Sequence, residues 1–245
     1  MVFFTIIIAT YNAQDHIETT LESVINQGYE NIELVIIDAC STDKTLEIVN
    51  KYSPYIKKII SEKDKGIYDA WNKGIKNSGN EWILFLGSGD TLTTGSLNRY
   101  AEYIASSPIL FQFISSRINL VNADGRITRV IGNAWSWSFF RKFMSTSHVA
   151  ALHNRSLFVD HGYYDSSLRI VGDYELLLRV QDKLKAGFIE NVQANMLVGG
   201  VSNNLYSLRE TLSIKLKNSD RSILGCFLDY YYSVIVWIYR NGRIV

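Results

Sequence analysis

Glu81-Trp82-Ile83-Leu84-Phe85-Leu86-Gly87-Ser88-Gly89-Asp90 is an apolar run that stops abruptly on two glycines, a serine and one carboxylate. Ile83 to Leu86 is too short for a helix and apolar on every side, the pattern of a strand buried on both faces of a parallel sheet. In open α/β sheets, ligands bind beyond the carboxyl ends of the strands. Asp90 stands at such an end on a Gly-punctuated loop, where a carboxylate can hold a cation or face a diphosphate. The same residues are also good turn chemistry, with Asp90 capping the next helix. The other strand ends have to decide between the two.

Upstream, Phe3 to Ala9 is a β-rich run that ends in Thr10-Tyr11-Asn12-Ala13. Ile17, Leu21, Val24 and Ile25 then form a helical stripe, with Asp15 and Glu18 at capping-box spacing. The intervening loop carries a hydroxyl, an aromatic ring and an amide, which can stack on and hydrogen-bond a nucleobase or simply turn the chain. Ile32 to Ile37 brings Asp38 to the same edge, where it can accept from a base imide or a ribose hydroxyl. Ser41, Thr42 and Asp43 read as capping residues for the helix through Leu46, Ile48 and Val49. Ile56 to Ile60 is a third strand. A charged loop, Ser61 to Gly66 with Asp64, leads to a helix over Ile67 to Lys76 that bears Asp69, Asn72 and Lys73. By composition alone that charge run is a solvated face. Alternating β and α units without a Gly-rich fingerprint in the first turn predict a nucleotide-binding α/β sheet that is not the dinucleotide fold.

The bulk numbers narrow the function classes. Twenty-five Lys and Arg against 24 Asp and Glu leave a net charge of +1, with no basic stripe to suit a nucleic acid. Cys40 and Cys226 lie far apart, without metal-ligand spacing or the density of a disulfide scaffold. Met1-Val2-Phe3-Phe4 enters a strand without a basic n-region, so a cytoplasmic location is expected. At 245 residues the chain can bury one substantial core.

The second half changes character. Ser96 to Ile104 predicts a helix and Ile109 to Ser115 a strand. Asp124-Gly125, between Arg117-Ile118-Asn119-Leu120 and Arg126-Ile127-Thr128-Arg129-Val130, is a strong hairpin signal, so this half is expected to be antiparallel. Trp135, Trp137, Phe139, Phe140 and Phe143 are either core or a sugar-stacking or membrane-facing surface. His148 precedes the apolar Val149 to Leu152, and Asp173 stands at the edge of a helical stripe, where it can be a plain cap. Gly187 to Asn191 and Met196 to Val198 predict two short strands. From Leu205 the pattern is helical, with a second helix from about Ser222 to Tyr239 that is interrupted by Asp229. Basic residues outnumber acids there, so this tail either lies on an anionic membrane or packs on protein, including a second subunit.

Ile7-Ile8-Ala9-Thr10-Tyr11-Asn12, Ile36 to Asp43, Glu62 to Gly74 and the Leu86 to Asp90 loop together resemble the inverting family 2 glycosyltransferases of GT-A fold, of the kind that builds bacterial cell-surface polysaccharide and O-antigen. The resemblance implies a mixed, mainly parallel sheet flanked by helices, with a catalytic domain over 1–204 and a helical appendage over 205–245. The nucleotide-binding half would cover about 1–105 and the acceptor side about 106–204. It implies metal-assisted transfer of a hexose, most simply from a UDP-sugar, to a hydroxyl of a lipid-linked or cell-surface saccharide, at the inner face of a membrane.

In residues, the resemblance implies that Thr10, Tyr11, Asn12 and Asp38 hold the nucleoside, with Asp64, Asp69 and Ser88 on the donor side. Asp90 would touch Mn²⁺ or Mg²⁺, Asp173 would be the general base, Glu175 its substitute, and His148 would lie near donor or acceptor. Gly200-Val201-Ser202, after Gly199, resembles a segment that closes the catalytic domain. Three departures stand out: Gly87 and Gly89 where the family commonly has acids, Val149 in place of glutamine, and Gly172 in place of an acid. These thinned acids keep open a non-catalytic sugar-nucleotide binding or scaffold protein. A sugar-1-phosphate nucleotidyltransferase is disfavoured because Ala9-Thr10-Tyr11-Asn12 is not a Gly-rich, Arg-containing loop.

Overall fold

The computed structural model describes residues 1–199 and 205–241. Its first part alternates as expected: β1 (Phe4–Thr10), α1 (Ile17–Ile25), β2 (Ile32–Asp38), α2 (Thr45–Lys51), β3 (Lys58–Ser61), α3 (Ile67–Lys76) and β4 (Trp82–Gly87). There follow β5 (Thr91–Leu92), α4 (Ser96–Ser106), β6 (Phe113–Val121), β7 (Ile127–Ile131), α5 (Trp137–Phe140) and β8 (Leu152–Asn154). The chain then forms α6 (Arg155–His161), α7 (Gly172–Val180), β9 (Ala186–Leu197), α8 (Leu205–Asn218) and α9 (Ile223–Asn241). The described strands make one mixed sheet in the order β3-β2-β1-β4-β8-β6-β9-β5, with β7 paired to β6.

β1 is parallel to both neighbours, and the register aligns their carboxyl ends. Thr10 stands opposite Asp38, and Ala9 stands opposite both Ile37 and Gly87. Because successive side chains of a strand point to opposite faces, each central strand feeds two cores. Ile7, Val35, Ile83 and Phe85 join α3, α6 and α7 on one face. Ile6, Ile8, Leu84 and Leu86 join α1 and α4 on the other. This two-sided burial is why the β4 sequence is apolar throughout.

The hairpin at Asp124-Gly125 forms between β6 and β7, closed by Gly125 N–H donating to the Asn122 carbonyl at 3.0 Å. Three expectations are corrected. The strand placed at Ile109 to Ser115 begins at Phe113 and runs to Val121. The two short strands after Gly187 are one twelve-residue strand, β9, because register shifts opposite Ser116 to Ile118 absorb the break and pairing resumes. The half is not uniformly antiparallel either, since β6 and β9 run parallel. Gly200-Val201-Ser202 lie outside the described residues.

The aromatic cluster divides between the two expectations. Phe140 is buried beneath Trp135, at 4.4 Å between ring centroids, whereas Phe139 remains about half exposed. α8 packs on α7, and Ile214 reaches the core shared by α3, α6 and α7. No described helix is long and apolar enough to cross a membrane.

α3 lies unusually close to β1. A Cβ on Gly74 would sit 2.5 Å from Ile7 Cγ2, in the middle of the core. Gly74→Ala is therefore expected to lower stability by about 1–3 kcal/mol through overpacking, despite the better helix propensity of alanine. Urea unfolding would measure this, and an unchanged midpoint would show that the helix can shift freely.

Candidate active site

The loops after β1 and β2 are stitched together before any ligand arrives. Asn12 N–H donates to Ser41 Oγ at 2.8 Å, and Asn12 Oδ1 accepts from Thr42 N–H at 2.9 Å. Ala13 N–H donates to Thr45 Oγ1 at 2.7 Å, and Gln14 N–H to Asp43 Oδ2 at 3.1 Å. The Asn12 side-chain oxygen is thus engaged by the neighbouring loop, which holds the two loops together. Asp38 departs further from expectation. It has no exposed surface, and its carboxylate accepts from Ser41 N–H, from Ser41 Oγ and, at 2.6 Å, from Ser61 Oγ. In this conformation it braces the loop from below and presents no oxygen to a ligand.

Beside these loops lies a cavity of about 590 Å³ whose wall includes Thr10, Tyr11, Cys40, Lys63, Asp64 and Ile67. Tyr11 is 62% exposed, so its ring is free to stack. Thr10 Oγ1 is buried on this wall without a hydrogen-bond partner, a state that costs free energy unless a ligand or water completes it. Asp64 shapes the rim by accepting from Gly66 N–H at 3.0 Å. Asp69 does not line the cavity. It accepts from Lys65 N–H and pairs with Lys73, which also pairs with Glu62, so the charged loop is pinned to α3. Sequence reading missed Cys40 and Lys63 as wall residues, and only their loop positions point to them.

Asp90 occupies a tight turn at the end of β4. Its Oδ2 accepts from Gly87 N–H and its Oδ1 from Leu197 N–H, each at 3.2 Å. Burial pushes its pKa up to about 6. Gly89, where the resemblance implies an acid, has a steric basis. Gly89 adopts φ +104°, and a Cβ there would meet Leu197 of β9 at 3.0 Å. Ser88 Oγ turns back to the Ala9 carbonyl at 3.3 Å.

Asp173 lies within the first turn of α7, whose N-cap is Val171, so the plain capping role is not what the side chain does. Asp173 Oδ1 accepts from Tyr174 N–H at 2.9 Å and from the Tyr68 hydroxyl at 3.1 Å. Burial raises its pKa to about 6, against those two hydrogen bonds. The Tyr68 ring also explains Gly172, where a Cβ would approach it to 2.8 Å. Adjacent residues of α3 therefore serve two places: Ile67 lines the nucleotide-sized cavity and Tyr68 holds Asp173. The segment leading into α7 is fixed by Glu210 of α8, a buried carboxylate that accepts from the backbone N–H of Arg169, Ile170 and Val171 at 2.8, 2.9 and 3.3 Å. Neither Tyr68 nor Glu210 was singled out from sequence, because both act across more than thirty residues of chain.

Two expected residues are corrected. His148 is buried in an aromatic cluster, stacked on Trp71 at 4.5 Å and hydrogen-bonded to Tyr164 at 2.9 Å. Burial drives its pKa down to about 3, so it is a neutral core histidine. Glu175 is 4% exposed, paired with Arg179 at 2.9 Å and bonded to Asn218 at 2.7 Å, so it has no free oxygen with which to replace Asp173.

Residues 5–162 match the model of glycosyl transferase family 2. The chain belongs to this family. A PGL/p-HBAD biosynthesis glycosyltransferase of Mycobacterium bovis is 31% identical over 186 residues, covering 72% of this chain and 68% of the relative. The UDP-Glc:alpha-D-GlcNAc-diphosphoundecaprenol beta-1,3-glucosyltransferase WfaP of Escherichia coli is 35% identical over 116 residues, 46% of this chain and 45% of the relative. Among solved structures, S. aureus TarS in complex with UDP-GlcNAc superposes with a TM-score of 0.73 at 19% identity, covering 95% of this chain and 73% of that one. The fold is therefore that of GT-A enzymes, and this family 2 member is a glycosyltransferase.

Asp173 carries a stability signature. Its folded pKa is raised, so the folded state binds its proton more tightly than the unfolded chain, whose carboxylate titrates near 3.9. That stabilisation is complete below about pH 4 and is lost as pH rises through about 6. Asp173→Asn is thus expected to raise stability at pH 7.5 by on the order of 1–2 kcal/mol, with a smaller gain at pH 4. Thermal melts of both proteins at the two pH values would measure it, and equal shifts at both would contradict the titration.

Proposed function

We propose that this glycosyltransferase moves a hexose, with inversion, from a nucleotide diphosphate sugar to a hydroxyl of a lipid-linked or cell-surface saccharide. A UDP-sugar is the first candidate donor, and the cytoplasmic face of a membrane is the expected place of work. The observation that carries the reading is the pairing, across one turn of α3, of a nucleotide-sized cavity with a carboxylate whose pKa is raised to about 6. The names of WfaP, which uses UDP-Glc and a diphosphoundecaprenol acceptor, and of UDP-GlcNAc-bound TarS support the donor and acceptor classes.

In this reading Tyr11 stacks on the base, and Thr10 Oγ1 finds its partner on the nucleoside. Asp38 and Asn12 hold the two loops in shape behind them. Asp64 stands at the cavity rim, and Asp69 keeps the charged loop folded. Inversion needs attack from the face opposite the leaving nucleotide, with a carboxylate there to take the proton of the acceptor hydroxyl. Asp173 is that base. Its raised pKa brings its basicity nearer to neutrality while leaving it mostly ionised at pH 7, and the Tyr68 hydroxyl and Tyr174 N–H orient it.

The described residues contain no group of three His, Cys, Asp or Glu side chains able to hold a metal by themselves. Asp90 offers two hard oxygens, each already sharing a lone pair with a backbone N–H. That donor set fits a Mg²⁺ or Mn²⁺ that arrives on the donor diphosphate, whose oxygens and water complete the coordination. Such an ion would supply charge neutralisation for the departing diphosphate.

Thermal stabilisation by UDP, GDP and dTDP, each with and without Mn²⁺, would test the donor site. The expected result is stabilisation by UDP that rises with Mn²⁺ and loses its metal dependence in Asp90→Ala. If no nucleotide stabilised the folded protein, the non-catalytic alternative would take the place of this reading.

Asp173→Asn is expected to lower turnover by about 10²- to 10⁴-fold while donor binding is kept, and near wild-type transfer would remove the base assignment. Transfer by the wild type should fall as pH drops through about 6. Tyr68→Phe removes a hydrogen bond to the ionised carboxylate, so its acid limb should move to higher pH. An unmoved limb in a pH–rate profile would mean that Tyr68 only packs.

A further inference from the structure

α9 is amphipathic in the reverse sense. Leu224, Leu228, Tyr231, Tyr232, Ile235 and Ile238 are 56–70% exposed, on a stripe that recurs every three or four residues for about 20 Å. Asp229, the only charged residue between Ser222 and Tyr239, faces inward. It lies 2.5 Å from Lys215 of α8 and 2.8 Å from Arg221. Lys215 also donates to the Lys142 carbonyl at 2.9 Å. The helix is thus held by its polar side and shows its apolar side to the outside, which in water calls for a non-aqueous cover.

The surface beside the stripe says what that cover is. A groove of about 1160 Å³ runs between β7 and the two C-terminal helices, lined by Arg117, Arg129, Lys142 and Arg221 against the single carboxylate of Asp229. Arg117 pairs with Glu190 and Arg221 with Asp229, while Arg129 and Lys142 have no carboxylate within ion-pair distance among the described residues. Leu228 and Tyr232 belong both to the exposed stripe and to the groove wall. A second copy packed on this face by two-fold symmetry would bring cationic groove against cationic groove. An anionic lipid surface satisfies the apolar stripe and the free cations together.

We propose that α9 is an interfacial membrane helix, lying in the head-group region of an anionic bilayer with the cationic groove open at phosphate level. The groove shares Lys142, Met144 and Ser207 with a smaller cavity of about 290 Å³ whose wall includes Asp173. A lipid diphosphate held at Arg129 and Lys142 would therefore present its saccharide towards the base. That last consequence rests on the transfer reading above, whereas the seating of α9 does not.

The test is co-sedimentation of the full chain with vesicles of phosphatidylcholine alone and of phosphatidylcholine with about a quarter phosphatidylglycerol. It is run on the wild type and on the double variant Leu224→Glu/Ile235→Glu, whose residues touch neither cavity. Light scattering gives the mass, and the melt with UDP reports the nucleotide site. The expected result is binding to the anionic vesicles, weakened by about 0.5 M salt and reduced at least tenfold or so in the variant, whose melt and nucleotide response stay unchanged. Wild-type protein that is folded and ignores anionic vesicles would overturn the proposal. So would a wild-type dimer, without vesicle binding, that the variant converts to monomer, since the stripe would then be covered by a second copy. Vesicle binding without any nucleotide response would leave the seating intact and sink the donor assignment alone.

Discussion

The parallel register of β1 between β2 and β4 is the constraint on which the rest depends. It sets Thr10, Asp38 and Gly87 on one edge, so three loops meet there whatever they contain. Burial on both faces holds the register, because a slip of one residue would exchange the side chains that feed the two cores. The loops can then be short and specialised. Asp38 spends its charge inside the structure to keep two of them joined, which leaves Thr10 and Tyr11 to face the cavity.

What the sequence disclosed follows the range of the interactions involved. The β-α alternation, the hairpin at Asp124-Gly125 and the helices over 67–76 and 223–241 rest on local periodicity and turn chemistry, and they were legible. β9 was not, because its continuity depends on the bulged pairing with β6. At the site, Asp90 and Asp173 were visible as carboxylates at element ends. His148 was misplaced because a histidine ahead of an apolar run looks the same whether it faces a ligand or the rings of Trp71 and Tyr164. Tyr68 and Glu210 were invisible in their roles, since nothing near either residue announces a partner 105 or 41 positions away.

Two of the three glycines that thin the acids acquire a physical account. Gly89 sits in a backbone conformation that side chains rarely adopt and lies against Leu197, and Gly172 leaves room for the Tyr68 ring. In both places the glycine leaves room for a neighbouring side chain beside the carboxylate. In each place desolvation raises the pKa of the half-buried acid that stands there, Asp90 and Asp173 alike, to about 6.

The family match ends at residue 162, whereas Asp173, Glu210 and the cationic groove come later or lean on what comes later. The sheet nevertheless runs across that boundary, since β9 from behind it pairs with β6 and β5 from before it. A further contact crosses it at Asp173, where the ring of Tyr68 fills the space above Gly172 and its hydroxyl meets the carboxylate. Halves taken from two different homologues would therefore have to match along β6 and β9 and also at positions 68 and 172, a large ring on one side of the boundary and no side chain on the other.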